Sequence, residues 1–538
     1  MMKKAIKKLL AALLAVAMVC AMAIPAFAGT EGDITKWHSF SAFQIFKGKV
    51  DGNDIKDFKI SNVEWGSNID PDNFLPQLKG ADTIGPLFAN ANSARDVLEV
   101  ISQWHNSDAN SIAFARFVCH YLYPDANAKP KPAVEGGGGS DHIHFDEAGY
   151  YLVVDTTPFS HGDFDHAYNS FLLMVTHEDW NIPITPKAEK PSVKKEVFDN
   201  FDNQDGTSTG DFGSSADHAI NEKFQFKLTA TLPASTDHAY DYYDTYAVCF
   251  KDTLSEGITY DGPDSVVIKS NNNTHDTTID PSKYTIDTKN LENQNYFEVN
   301  IHDVKACAKD AGFDLNDGAT ITFTYTAHLN EKATVNTTSG PTDNKNSVQL
   351  QYSNNPRPGD YWGTTPKSEV YVYTYQLNNT KHAEKEDGTP LPGAVFQLYS
   401  DKDCTQEVKL YKVGNIYFPI KDATDKEKDA VQMISGQDGQ FNVKGLDAGT
   451  YYLKEITPPD GYSACKEIPV TIKADHSRND QVNLEGSNLT NDIVNIKAGG
   501  ITLPSTGGIG TTLFYVVGGG LMVAAIVLLV TKKRMENK

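Results

Sequence analysis

Catalytic vocabulary is sparse in this 538-residue chain. It has no His-Glu-x-x-His string and no Gly-x-x-x-x-Gly-Lys phosphate loop, which argues against a zinc peptidase or a nucleotide hydrolase. Cysteine is scarce at six, and no pair is spaced Cys-x-x-Cys, so a thiolate zinc site is not expected. Basic residues are outnumbered, 48 against 70 acidic ones, which argues against nucleic acid or anionic lipid as a partner. Helical periodicity is rare, and long apolar runs occur only at the two ends.

Those ends are informative. Lys3, Lys4, Lys7 and Lys8 precede an apolar run from Leu9 to Ile24. Pro25-Ala26-Phe27-Ala28 then places small residues where a signal peptidase reads, so residues 1–28 are expected to be removed. At the other end Leu513 to Val530 is about long enough to cross a bilayer, and Lys532, Lys533 and Arg534 follow at once. Leu503-Pro504-Ser505-Thr506-Gly507 lies just upstream. The discarded ends hold eight of the 48 basic residues and one of the 70 acidic ones, leaving a formal charge near −29 between them. Such a surface is soluble and self-repelling.

Residues 29–506 leave room for about three domains. Short alternating runs rich in Tyr, Phe, Thr and Val, punctuated by Asp-Gly, Asn and Pro, indicate an all-β chain. Strands are expected at Phe171–Val175, Phe224–Leu228, Thr320–Ala327, Ser347–Tyr352, Val370–Tyr375, Ala394–Tyr399 and Ile468–Ile472. Helices are expected only at Asn92–Trp104 and Ser111–Tyr123. Proline-bearing joints at 183–191 and 355–360 read as stiff connectors. They suggest domains at 29–187, 188–365 and 366–500, followed by an anchoring segment at 501–538.

Three resemblances bear on function. Leu503 to Gly507, the apolar span and the basic tail together resemble the cell-wall sorting signal of Gram-positive surface proteins. Leu391 to Tyr399 resembles the opening strand of B-type repeats from collagen-adhesin-like proteins. Tyr451 to Glu455, followed by Pro458, Pro459, Gly461 and Tyr462, resembles the "E-box" of pilins, with an echo at Ala148 to Leu152. These likenesses imply a sortase-assembled shaft pilin built of tandem immunoglobulin-like β-sandwiches in a rod. Its partners would be identical subunits, a sortase, peptidoglycan, minor pilins and a host ligand, with nucleic acid excluded. The alternative is a wall-anchored monomeric adhesin or a minor pilin. Neither an enzyme activity nor a cofactor nor a metal is expected. The histidines of 141–144 and 161–166 read as solvated, and the 199–206 loop has Phe201 where a calcium-binding helix-loop-helix needs its first ligand.

By that resemblance Thr506 is a sortase substrate, and Lys187, ending Ile182-Pro183-Ile184-Thr185-Pro186-Lys187, is the acceptor amine of the next subunit. Lys190 is a neighbouring alternative. Strand alternation places Glu455 on the inward face with Tyr451 and Leu453, and Lys381 on the face of Leu377 and Asn379. The family then implies a self-formed isopeptide bond from Lys381 to Asn495, with Glu455 as catalyst. A second bond, Lys195 to Asn346 with Asp252 as proton shuttle, is implied for the middle unit. Lys194 is the rival lysine there, but it faces outward if Val193 faces inward. A third bond, from Lys47 to Asn169 with Val154 or Asp155 at the acid position, is the weakest candidate. Cys404 and Cys465 are expected to form a disulfide, with Cys249–Cys307 a weaker pair and Cys119 unpaired.

Overall fold

A computed structural model describes residues 39–499, apart from 52–58, 105–107, 126, 136–141, 158–169, 176–179, 184–189, 201–209, 237, 358–361 and 477–479. The chain is mostly strand, arranged in successive sheets.

In the first unit, Phe40–Asp51 and Gly149–Asp155 are the central strands, flanked by Lys59–Trp65 and Phe171–Val175. Three helices, Pro71–Gly80, Ala94–Ile101 and Ala109–Leu122, cover one face. Phe43, Ile45, Tyr150, Leu152 and Val154 point into that helical layer. Ala42, Tyr151 and Val153 point the other way, toward the hairpin of His142–Phe145 and Trp180–Pro183. The sheet is therefore buried on both faces. The second and third helices were expected. The first was not, because Pro76 interrupts its pattern, although Asp70 caps it and Pro71 opens it.

The middle unit is a sandwich of two sheets. One has the order Thr277–Thr278, Ile258–Ser270, Ala319–Leu329, Lys223–Leu232, Ser192–Asp199, Asp211–Gly213. Its alternation is strict: Ile321, Phe323, Tyr325 and Ala327 are buried, with threonines between them. The facing sheet contains, in order, Ser215–Asp217, Ser368–Tyr373, Lys345–Ser353, Val248–Leu254, Tyr296–Ile301 and Tyr284–Asp287. Ser368–Tyr373 pairs with Lys345–Ser353 of the middle unit, so residues beyond 365 complete this sandwich. Thr374 breaks what the sequence suggests is one strand over Val370–Tyr375, and Tyr375–Ala383 opens the third unit.

The third unit packs a five-stranded sheet against a four-stranded one. In the first, Tyr375–Ala383 pairs in parallel with Thr490–Asn495, so the opening and closing strands are neighbours. The second holds Met433–Ile434, Val395–Tyr399, Gly449–Thr457 and Ile468–Ile472. Phe396, Leu398, Phe441, Val443 and Leu453 fill the space between.

Candidate functional site

Two buried polar groupings interrupt these apolar cores. In the third unit the strand of Tyr375–Ala383 alternates so that Tyr375, Leu377, Asn379 and Lys381 all face inward and are fully buried. Asn495 ends the parallel neighbour, and Glu455 comes from the opposite sheet, paired with Phe396. Lys381 Nζ donates to Asn495 Oδ1 at 2.5 Å. Asn495 Nδ2 donates to Glu455 Oε1 at 2.8 Å, and the same oxygen lies 3.6 Å from Lys381 Nζ. The second carboxylate oxygen accepts from the Cys465 backbone N–H at 2.7 Å, which fixes the carboxyl's orientation. Burial pushes the Lys381 amine below its ordinary range, against the opposing pull of Cys465 and Glu455.

The middle unit assembles the same residue types differently. Lys195 lies on one sheet, while Asp252 and Asn346 are diagonal neighbours on adjacent strands of the other. All three are buried. Lys195 Nζ contacts Asp252 Oδ2 and lies 3.2 Å from Tyr325 OH, over the rings of Phe226 and Tyr325. Tyr325 OH donates to Asp252 Oδ1 at 3.0 Å and accepts from Asn346 Nδ2. Burial lowers the Lys195 pKa to about 8 and raises that of Asp252, so both groups move toward their neutral forms. Lys194 points outward to an ion pair with Glu196.

Such an arrangement is suited to amide exchange. A neutral amine is a nucleophile, the asparagine carboxamide beside it is the electrophile, and a carboxyl within reach of both nitrogens can relay a proton. In the third unit one oxygen of Glu455 touches both nitrogens. In the middle unit Asp252 reaches Asn346 both directly and through Tyr325, a residue that the sequence alone does not single out. Its signal was present, since it is the one hydroxyl on the inward face of an otherwise apolar strand.

The first unit holds no comparable grouping among its described residues. Lys47 lies at the surface and pairs with Glu64 at 3.2 Å. Asp155 is buried, but it accepts from the backbone and hydroxyl of Thr157.

The expected disulfides are not formed: Cys119, Cys249, Cys307, Cys404 and Cys465 are all free thiols. Cys404 sits at a turn with φ of +53°, held by the Asp401 loop, whereas Cys465 turns inward against Lys381 and Glu455. Burial there raises the Cys465 thiol to about 11.

Asn169, Lys187, Leu503, Pro504, Thr506, Gly507, the N-terminal segment 1–28 and the apolar run 513–530 lie outside the described residues. Among the described residues no helix is long and apolar enough to cross a membrane. Gly206 to Gly210 spells Gly-x-Ser-x-Gly, but the strand Asp211–Gly213 follows it, not the helix that a nucleophile elbow requires.

Comparison with known proteins identifies the class first. Residues 495–537 match the LPXTG cell wall anchor motif, so this is a surface protein anchored to the cell wall. More specifically, residues 376–487 match the prealbumin-like fold domain family. The trypsin-resistant surface protein of Streptococcus pyogenes is 25% identical over 292 residues, covering 52% of this chain and 44% of that protein. The match thus spans less than half the length of that relative. Among solved structures, the backbone pilin of Streptococcus pyogenes is 16% identical, covering 88% of this chain and 100% of that one, with a TM-score of 0.47. The full-length major pilin of Corynebacterium diphtheriae is 17% identical, covering 88% and 96%, with a TM-score of 0.42. A C-terminal fragment of the major pilin of Streptococcus agalactiae is 22% identical, covering 57% and 100%, with a TM-score of 0.39.

Proposed function

We propose that the chain is the shaft subunit of a covalently polymerised pilus, and that its middle and third units each seal themselves with an isopeptide bond. The observation that carries this reading is the pair of buried lysine–carboxyl–asparagine groupings, one per sandwich, in a chain that bears a wall-anchor motif. A lysine and a carboxylate cost several kcal/mol each to bury as ions, and a hydrophobic pair of similar volume would serve stability as well. Chemistry explains their presence better than packing does.

In the third unit, neutral Lys381 Nζ attacks Asn495 Cγ. The Nζ–Cγ bond forms, the Cγ–Nδ2 bond breaks, and Glu455 passes the amine's proton to Nδ2, which leaves as ammonia. In the middle unit Lys195 attacks Asn346 in the same way, with Asp252 and Tyr325 relaying the proton. No cofactor enters either balance.

Polymerisation would follow the sortase route. A sortase cysteine attacks the Thr506 carbonyl within Leu503-Pro504-Ser505-Thr506-Gly507, and Gly507 departs with the tail. The Lys187 amine of another subunit then resolves the thioester, and the last subunit is passed to peptidoglycan. An immunoblot of cell-wall extract tests this reading. A ladder is expected for the native chain and one wall-linked band for Lys187→Ala. A ladder that survives moves the acceptor elsewhere, with Lys190 the first candidate. A single band from the native chain would instead favour a monomeric adhesin.

A further inference from the structure

Where the middle and third units meet, three side chains with no part in either bond converge. Asp199 ends the strand Ser192–Asp199, and Asp217 ends Ser215–Asp217, both in the middle unit. His476 follows the strand Ile468–Ile472 of the third. His476 Nε2 lies 3.3 Å from Asp199 Oδ2 and 3.9 Å from Asp217 Oδ1. The three facing atoms all fall within 4.8 Å of one another.

The surroundings orient the ring and one of the carboxyls. Ser215 Oγ lies 2.9 Å from the His476 carbonyl oxygen and 2.9 Å from His476 Nδ1. A carbonyl only accepts, so the Ser215 hydroxyl donates to it and receives the Nδ1 proton. Nε2 then faces the two carboxylates, where it either donates a proton to Asp199 or offers a lone pair to a bound cation. Tyr375 OH donates to Asp217 Oδ2 at 3.0 Å, which leaves Oδ1 to face the same point. Asp199 is 2% exposed, and its Oδ1 has no hydrogen-bond partner among the described residues. Asp199 Oδ2, Asp217 Oδ1 and His476 Nε2 thus meet at one point, beside a buried carboxylate whose second oxygen is left unsatisfied.

We infer that Asp199, Asp217 and His476 form a binding site for a divalent transition cation, zinc or manganese, that ties the middle unit to the third. One imidazole and two carboxylates are a donor set that such ions accept. Metal–ligand bonds of about 2.0–2.2 Å give ligand–ligand separations close to those found here. Ser215 and Tyr375 are positioning residues: they orient the ring and the carboxyl without touching the ion. His476 keeps 16% of its side chain exposed, which gives the ion a route in. The site does not depend on the cross-linking chemistry. It adds a tie between two units that already share apolar packing of Ile220 against Tyr411, Phe418 and Ile420 and hydrogen bonds such as Asn221 Nδ2 to the Pro419 carbonyl.

The test uses the whole, untagged chain, stripped with chelator and titrated with zinc chloride by calorimetry, with bound metal measured by atomic emission. One tight equivalent is expected, lost in both Asp217→Asn and His476→Gln while the far-ultraviolet circular dichroism is unchanged. Ser215→Ala should weaken binding by about 10–100-fold. Cobalt(II) in place of zinc should give visible absorption in the native chain alone. The inference is overturned if the native chain takes up no zinc, or if the variants retain the equivalent. The first result would leave a protonated His476 between two carboxylates, and the second would place the metal on histidines elsewhere.

Discussion

Replacing Glu455 with glutamine preserves side-chain volume and an oxygen able to accept from Asn495 Nδ2, but removes the group that can carry a proton. The Lys381–Asn495 bond should then fail to form, and the deficit of the intact mass from the encoded mass should shrink by one ammonia unit relative to the native chain. The two residues are 114 apart, and cross-linking a loop of that length stabilises by about 5 kcal/mol in the chain-entropy model. A domain of this size loses about 3–5 °C per kcal/mol, so its melting transition should fall by roughly 15–25 °C. Failure of the bond also leaves the Lys381 amine buried beside a neutral amide, which adds to the loss. Lys381→Met separates the two effects, since it removes the bond without leaving an amine in the core. Calorimetry on the whole chain should show the third-unit transition displaced and the middle-unit transition unmoved, because the two groupings share no partner. A native mass deficit retained in Glu455→Gln would refute the proton-relay role. So would loss of the bond with no change in melting.

Other expectations follow from the middle unit. Tyr325→Phe removes only the hydroxyl between Asp252 and Asn346, so the Lys195–Asn346 bond should form slowly or not at all, leaving the third-unit bond intact by peptide mapping. Asn346→Ala traps Lys195 as a free amine with a native pKa of about 8 against an ordinary value of 10.5. Between those values the unfolded chain binds more protons than the folded one, so denaturant midpoints of this variant should rise as the pH goes from 8 to 10.5. A flat or falling profile would show that the amine is not held neutral.

Period-two alternation made much of this legible. It put Lys381 with Leu377, and Glu455 with Leu453, on buried faces, and it turned Lys195 inward against Lys194. Alternation cannot report which strands of opposite sheets face one another, and that is why Tyr325 was passed over although its strand was recognised. The cysteines failed for a related reason. Cys404 and Cys465 both follow strands of one sheet, but side-chain direction decides pairing. Cys465 is drawn toward Lys381 while Cys404 is held at its own turn. The joint at Thr374 was hidden because the flanking tyrosines and valines run on as one β-favouring stretch. The convergence of Asp199, Asp217 and His476 joins residues up to 277 positions apart, with no spacing rule to reveal it.

Top-down mass spectrometry of the native chain, without any added enzyme, tests the central claim most directly. The account predicts a mass two ammonia units below the encoded value, with fragments that stay linked between Lys195 and Asn346 and between Lys381 and Asn495. A mass equal to the encoded one, with all four side chains free, would contradict it.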